Sequence, residues 1–269
     1  MDSLQPNRVV VLSGPDLVQR HTCATLIDRG VNVVGICYAG GRVAGVPLDF
    51  LRLSIKRKGW RRTSSQVAGR LAYLLGNRRA DGAIFRRLYD EDWIEQILAG
   101  FEGESRQTDR YSDPETLAWL KSLDPDVFVI HTAQFVGKKV RSLPSKQLTI
   151  GGHPGLTPHY RGSHSAFWAV YGGRPQDLAC SIFWLDGGYD TGDLIAQERL
   201  EIEPGDSYVS MAWKGMIRQA ELQAEVILAN DAGRPFPRVP HPSIPEGSYY
   251  DIPTLGEYLD YRKRQDILR

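Results

Sequence analysis

The first apolar run, Arg8 to Ser13 (RVVVLS), has the unbroken pattern of a strand buried on both faces, and Gly14 and Pro15 end it. Leu17, His21, Ala24 and Ile27 then recur at helical spacing, with Asp16 placed to cap the start and Gly30 to close the end. Val31 to Tyr38 (VNVVGICY) predicts a second strand, which completes a strand–helix–strand unit with a right-handed crossover and hence a parallel sheet. Further on, Ser112 and Glu115 have the spacing of a capping box, Asp113 and Pro114 suit a first turn, and Leu117, Leu120 and Leu123 continue that helix. Val127 to His131 (VFVIH) is another buried strand, followed by a loop at Thr132 to Val136 and a helix near Lys138 to Leu143.

The next strand is predicted to stop at Ile150, where Gly151 and Gly152 deliver His153 just past its carboxyl end, the place where open α/β sheets put their chemistry. Pro154, Gly155 and Pro158 stiffen a turn-rich loop, Arg161 and Gly162 lead into a helix at Ser165 to Tyr171, and a strand follows at Ala179 to Leu185. A long helix capped by Asp206 or Ser207 keeps Val209, Trp213, Met216, Ala220, Ala224 and Ile227 on one face. Gly233 to Gly247 is proline-rich and reads as an extended wrap, with one short helix between Tyr249 and Arg269. The expected fold is α/β, a Rossmann-like, mostly parallel sheet with helices on both faces plus a short C-terminal extension. Residues 1–232 are expected to form the main unit and 233–269 a tail. There is no G-x-G-x-x-G after the first strand, which argues against a nicotinamide dinucleotide.

Composition narrows the setting. A chain of 269 residues, 42% hydrophobic and 24% charged, is that of an ordinary globular protein with a sizeable core. Its net charge of +1 gives no global reason to expect nucleic acid or a membrane as partner. MDSLQPNRVVVLSG lacks the pattern of a signal peptide, and no apolar run approaches the roughly 20 residues of a membrane span. Cys23, Cys37 and Cys180 lack ligand spacing and read as reduced core thiols of a cytoplasmic protein. Charge is nevertheless uneven. Residues 52–87 form a basic helical insertion with Asp81 its one acid, while Val67, Leu71, Leu74 and Leu75 recur between the charges at helical spacing. That segment is an amphipathic helix with a solvated basic face, a patch for a phosphate-bearing substrate or carrier, or a surface for docking on membrane or RNA. The acidic stretch from Asp90 to Glu115 is expected to pack against it.

The densest concentration of candidate chemistry runs from His153 to Asp193. His-Pro-x-Leu-x-Pro-x-Tyr-Arg-Gly (His153 to Gly162) and Asp-x-Gly-x-Asp-Thr-Gly-Asp (Asp186 to Asp193) stand in order, with a helix and a strand between them. In these residues the chain resembles the folate-dependent formyltransferases. The resemblance implies 10-formyltetrahydrofolate as formyl donor, His153 and Asp190 as catalytic residues, and donor-binding positions at Gln134, Phe135, Val136, Asp186 and Gly188. Tyr160, Arg161 and His164 are candidates for the substrate side, with Arg161 equally suited to bracing the loop. Asp-Gly-Gly is itself a common turn sequence, so Asp186 has a structural reading of its own.

The family usually carries asparagine two residues before the histidine, where this chain has Gly151. A glycine amide, the His164 ring or the Gln134 amide are alternative donors for the oxyanion. The expected acceptor is a small-molecule amine, an amino sugar nucleotide or an amino-acid-derived metabolite, because fewer than about fifty residues follow the last long helix, too few for the tRNA-binding domain of the methionyl-tRNA enzymes. No metal, nucleic acid or membrane partner is expected, and a homodimer is left open. The alternatives are a hydrolase that releases formate from the folate and a folate-binding relic without catalysis.

Overall fold

The computed structural model describes residues 5–40, 48–132, 134–146, 148–241 and 243–264. The extreme ends of the predicted chain, Met1 to Leu4 and the last five residues of the tail, lie outside them, as does Ala133 of the predicted loop.

Strand β1 (Val9–Ser13) is buried along its whole length and pairs in parallel with both β2 (Val33–Ala39) and β4 (Val127–His131). Helix α1 (Leu17–Asp28) makes the crossover; the Asp16 carboxylate accepts from the Gln19 amide, as the sequence predicts, and Gly30 turns the chain out at φ +81°. Two helices of the basic insertion follow, α2 (Leu48–Lys58) and α3 (Trp60–Leu88), then α4 (Glu91–Ala99) and strand β3 (Glu104–Thr108). After α5 (Pro114–Ser122), β4 and the short α6 (Lys138–Arg141) comes β5 (Leu148–His153). The remaining elements are β6 (Arg161–Gly162), α7 (Ser165–Tyr171), β7 (Ala179–Trp184), β8 (Leu194–Arg199), α8 (Tyr208–Asp231), β9 (Tyr249–Tyr250) and α9 (Leu255–Arg262).

The main sheet has the order β3-β2-β1-β4-β5-β7-β8, parallel from β3 to β5 and antiparallel for β7 and β8. Helices α1 and α8 cover one face through Cys23, Leu26, Leu222, Ala224 and Ile227, packed on Val9, Val11, Val127, Val129 and Ile150. On the other face Leu117, Leu120 and Val140 of α5 and α6 meet Val10, Leu12, Phe128 and Ile130. A third cluster lies beyond the sheet, where Tyr73 of α3, Phe167 of α7, Tyr208 and Met211 of α8 and Tyr258 and Tyr261 of α9 pack together. The three cysteines are buried and unpaired, and burial pushes the Cys23 thiol up to about 11.

Several expectations are corrected. β5 does not stop at Ile150 but pairs through Gly151 and Gly152 to His153, opposite Phe183, Ile182 and Ser181 of β7. Glycine fits both positions because Phe183 stands 2.7 Å from where a Cβ at 151 would be and the Gln219 side chain fills the place of one at 152. No capping box forms at Ser112: Asp113 is the N-cap of α5, and its carboxylate is taken by the Arg110 amide and Thr108 hydroxyl. Strands β3 and β8 were hidden by polar sequence, ESRQT and LIAQER, because both sit at sheet edges where water competes for their faces. The acidic α4 packs on α1, with Arg20 bound to Glu95, and not on the basic helices.

Candidate active site

The order reverses between β1 and β4, so the carboxyl ends of β1, β4 and β5 open around one crevice. A cavity of about 670 Å³ lies there. Its wall comes from the N-terminal turn of α1, from Ile130 to Thr132 at the end of β4, from Gln134, Phe135 and Val136, from Gly151, Gly152 and Pro154, and from the loop carrying Asp186, Gly188, Tyr189 and Asp190. All five donor-binding positions named from the sequence therefore share one wall.

His153, the last residue of β5, is 7% exposed and set one layer behind Asp190, which is on the wall. Its Nε2 is 2.8 Å from the Tyr160 carbonyl oxygen. A carbonyl can only accept, so this contact places the proton on Nε2 and leaves Nδ1 with a free lone pair. Nδ1 faces the Asp190 Oδ2 at 3.6 Å, a gap that would tighten if the ring gained a second proton. Asp190 is itself held in the left-handed region at φ +53°, and its Oδ2 accepts from the Gly162 amide at 3.0 Å. Gly162 in turn needs to be glycine: its φ is +85°, and a Cβ there would sit 2.5 Å from the Tyr250 carbonyl oxygen, across the β6–β9 pair. The C-terminal tail thus props the loop that aims Asp190.

The other predicted residues divide by position. Arg161 braces the loop, donating to the Ser248 hydroxyl and to the Tyr189 carbonyl at 3.2 Å. The Asp186 carboxylate accepts from the Gly188 amide and the Thr191 hydroxyl, so it shapes the same loop from the cavity wall. The Tyr160 ring lines neither large cavity; it stacks on Tyr250, and its contribution to the site is its carbonyl. His164 lies apart, on the wall of a second cavity of about 570 Å³ between α3, α8 and α9. Its ring is open to that cavity but closely walled by protein, and this desolvation together with the nearby Arg70 lowers its pKa to about 4. The two cavities share Phe85 and Trp213, whose rings meet edge-on at 4.9 Å.

Two residues escaped the sequence reading. His131, at the end of β4, is on the first cavity's wall; burial, and secondarily His21, lower its pKa to about 4. Thr22 Oγ1 lies 2.9 Å and the Gln219 amide nitrogen 3.3 Å from its Nδ1, and the Gln219 side chain also fills the space above Gly152. The available signal was a histidine ending a buried parallel strand. Of the alternative donors, the Gln134 amide is turned away to the Asp109 carbonyl, and His164 is in the other cavity. Gly151 has no positive φ; the room for a side chain is filled by Phe183 Cε2 at 2.7 Å and Leu185 Cδ1 at 3.0 Å from a Cβ. Among the described residues no group of three or more His, Cys, Asp or Glu is arranged to hold a metal, and no helix is long and apolar enough to cross a membrane.

With this geometry in view, comparison with known proteins is specific. The sequence profile described as formyl transferase matches residues 90–227, just over half of the chain. The chain belongs to the formyl transferase family. It is 34% identical over 156 residues to a methionyl-tRNA formyltransferase of Synechococcus sp. (strain JA-3-3Ab), covering 58% of this chain and 44% of that one. It is 30% identical over 144 residues to GDP-perosamine N-formyltransferase of Brucella melitensis, covering 52% and 53%. The match thus spans about half the length of these curated relatives. In fold it is similar to a 4-N formyltransferase from Francisella tularensis, with a TM-score of 0.55 at 17% identity over 95% of this chain and 86% of that one.

Proposed function

We propose that this protein moves a formyl group from 10-formyltetrahydrofolate to the amine of a small molecule, with His153 and Asp190 as its catalytic pair. The observation that carries the reading is the fixed tautomer of His153: the Tyr160 carbonyl holds Nε2–H, and Nδ1 is left facing a carboxylate at the cavity wall. The donor supplies the formyl carbon and a nitrogen leaving group. Asp190, on the wall, passes the proton shed by the attacking amine to His153 Nδ1 behind it, stabilises the imidazolium that forms, and carries the proton back to the departing amine.

The residues present fit a folate. Ile130, Val136, Phe183 and Leu185 give the cavity apolar walls for a planar ring, and Gln134 Oε1 is a buried acceptor with no partner among the described residues. The Gln134, Phe135 and Val136 segment and the Asp186 and Gly188 loop would hold the donor between them. For the acceptor, an amino sugar on a nucleotide suits the second cavity, whose wall sets Arg70, Arg78 and Arg86 beside Tyr73, Tyr208 and Tyr258. The similarity to the Brucella GDP-perosamine enzyme favours the same class. We take residues 1–232 as the catalytic unit, 233–269 as the tail that buttresses it, and the cytoplasm as its setting.

The test is incubation with 10-formyltetrahydrofolate, with and without a panel of amino sugar nucleotides and amino acids, following tetrahydrofolate release. Amine-dependent release that drops on the order of a hundredfold or more in His153→Ala and Asp190→Ala is the expected result. Amine-independent release would make the protein a hydrolase, and no release would leave it a binding protein; either outcome overturns the reading.

A further inference from the structure

The basic insertion turns its apolar residues outward. On α3, Trp60, Val67, Leu71 and Leu74 fall on one helical face, with Leu75 beside them, and all five are exposed: Trp60 65%, Leu71 56% and Leu75 90%. The opposite face is the buried one, yet it is built from small and polar residues. Gln66 donates to Asp251 and to the Ile252 carbonyl, Gly69 lets the Thr254–Leu255 backbone approach to 3.0 Å of where a Cβ would be, and Tyr73 donates to Asp81. The tight approach of α9 leaves no room for leucines inside, so they stand outside. On α2, which packs against α3, Leu53 and Ile55 are exposed as well, though on different sides of that helix.

Charge surrounds this stripe with one sign. Residues 52–87 hold 11 basic residues against a whole-chain net charge of +1, and Asp81, their one acid, is buried. Lys58 and Arg62 meet Asp251, and Arg87 meets Glu203. Lys56, Arg57, Arg61, Arg70, Arg78 and Arg79 have no carboxylate partner among the described residues.

We propose that the outer face of α2 and α3 docks the protein on an anionic bilayer surface. Exposed leucines, valine and tryptophan enter the boundary between headgroups and acyl chains while the flanking arginines and lysines meet lipid phosphates. A second copy of the chain is disfavoured, because a two-fold contact through this face would set cations against cations. Nucleic acid is disfavoured because its grooves and backbone reward arginine, lysine and stacking aromatics, and give little to a row of leucines. Arg70, Leu74 and Arg78 also line the second cavity, so docking would bring that cavity to the lipid interface. The proposal is independent of the formyl-transfer reading.

The experiment is co-sedimentation of the full chain with phosphatidylcholine vesicles and with vesicles containing phosphatidylglycerol, alongside Leu71→Glu/Leu75→Glu and Arg61→Ala/Arg79→Ala variants. These positions are exposed, so circular dichroism and the melting midpoint should match wild type. Expected is binding to the anionic vesicles well above the zwitterionic ones, reduced about tenfold or more by the leucine variant and also weakened by the arginine variant. No preference for anionic vesicles would overturn the proposal. So would binding that needs the arginines and ignores the leucines, which marks a merely electrostatic contact. Concentration-dependent self-association abolished by the leucine variant would equally overturn it, assigning the face to a second copy.

Discussion

Gly151 occupies the position where the resemblance to the formyltransferases implies an amide donor, and the structure makes the consequence of placing one there calculable. Residues 151 and 153 share a face of β5, so an asparagine at 151 would point to the side from which His153 projects. That space is taken. A Cβ at 151 lies 2.7 Å from Phe183 Cε2, against the roughly 3.5–4.0 Å of a relaxed carbon contact, so the ring must move by about 1 Å. Phe183 is 2% exposed and Leu185 closes the other side, leaving the cavity as its direction of escape. Overpacking of this kind costs about 1–3 kcal/mol, which for a chain of this size lowers the melting midpoint by about 2–12 °C.

Gly151→Asn is therefore expected to be less stable than wild type, and slower, with a raised KM for the folate donor as the displaced ring crowds the cavity. Phe183→Leu in the same chain removes the closest atom. The double variant should recover most of the stability lost, a coupling of about 0.5–3 kcal/mol in a double-mutant cycle, and should exceed the single variant in turnover. Thermal melts of the four proteins and steady-state kinetics in both substrates are the assays. A Gly151→Asn protein that melts like wild type and turns over faster would refute the packing argument and mark Gly151 as a simple loss of the donor.

Gly162→Ala should cost about 1–3 kcal/mol from its left-handed backbone alone; because the same residue anchors Asp190, turnover should fall more than the melt implies, and a variant with wild-type melt and rate would dissociate the tail from the site. Acid sensitivity follows from His131. Its folded pKa is about 4 against an unfolded value near 6.5, so the unfolded chain binds the proton first and stability falls as pH drops from 6.5 toward 4. The loss is about 3 kcal/mol at most from this residue. His131→Gln should make that slope shallower in chemical denaturation at pH 4.5 and 7, with His21 and His164, both also lowered to about 4, keeping part of it, and an unchanged slope would remove His131 as a source.

Much of the central sheet was legible in the sequence because parallel strands buried on both faces read as unbroken apolar runs, and β1, β2 and β4 emerged from pattern alone. The cap of α1, the span of α7 and the turn that carries Asp190 were legible for a related reason: turn chemistry is local, and Asp16 and the Asp186 to Gly192 run act on their immediate neighbours. What only the tertiary structure decided involves contacts between separate elements, most of them far apart in the chain. The tautomer of His153 depends on a carbonyl seven residues away, and the aim of Asp190 depends on Gly162 and, through it, on Tyr250. The occupied space at Gly151 depends on Phe183 across the sheet. The direction of the leucines on α3 was invisible for the same reason. Helical spacing shows that they share a face, but which face is buried was decided by α9, which comes within backbone contact of Gly69 and so claims the opposite side.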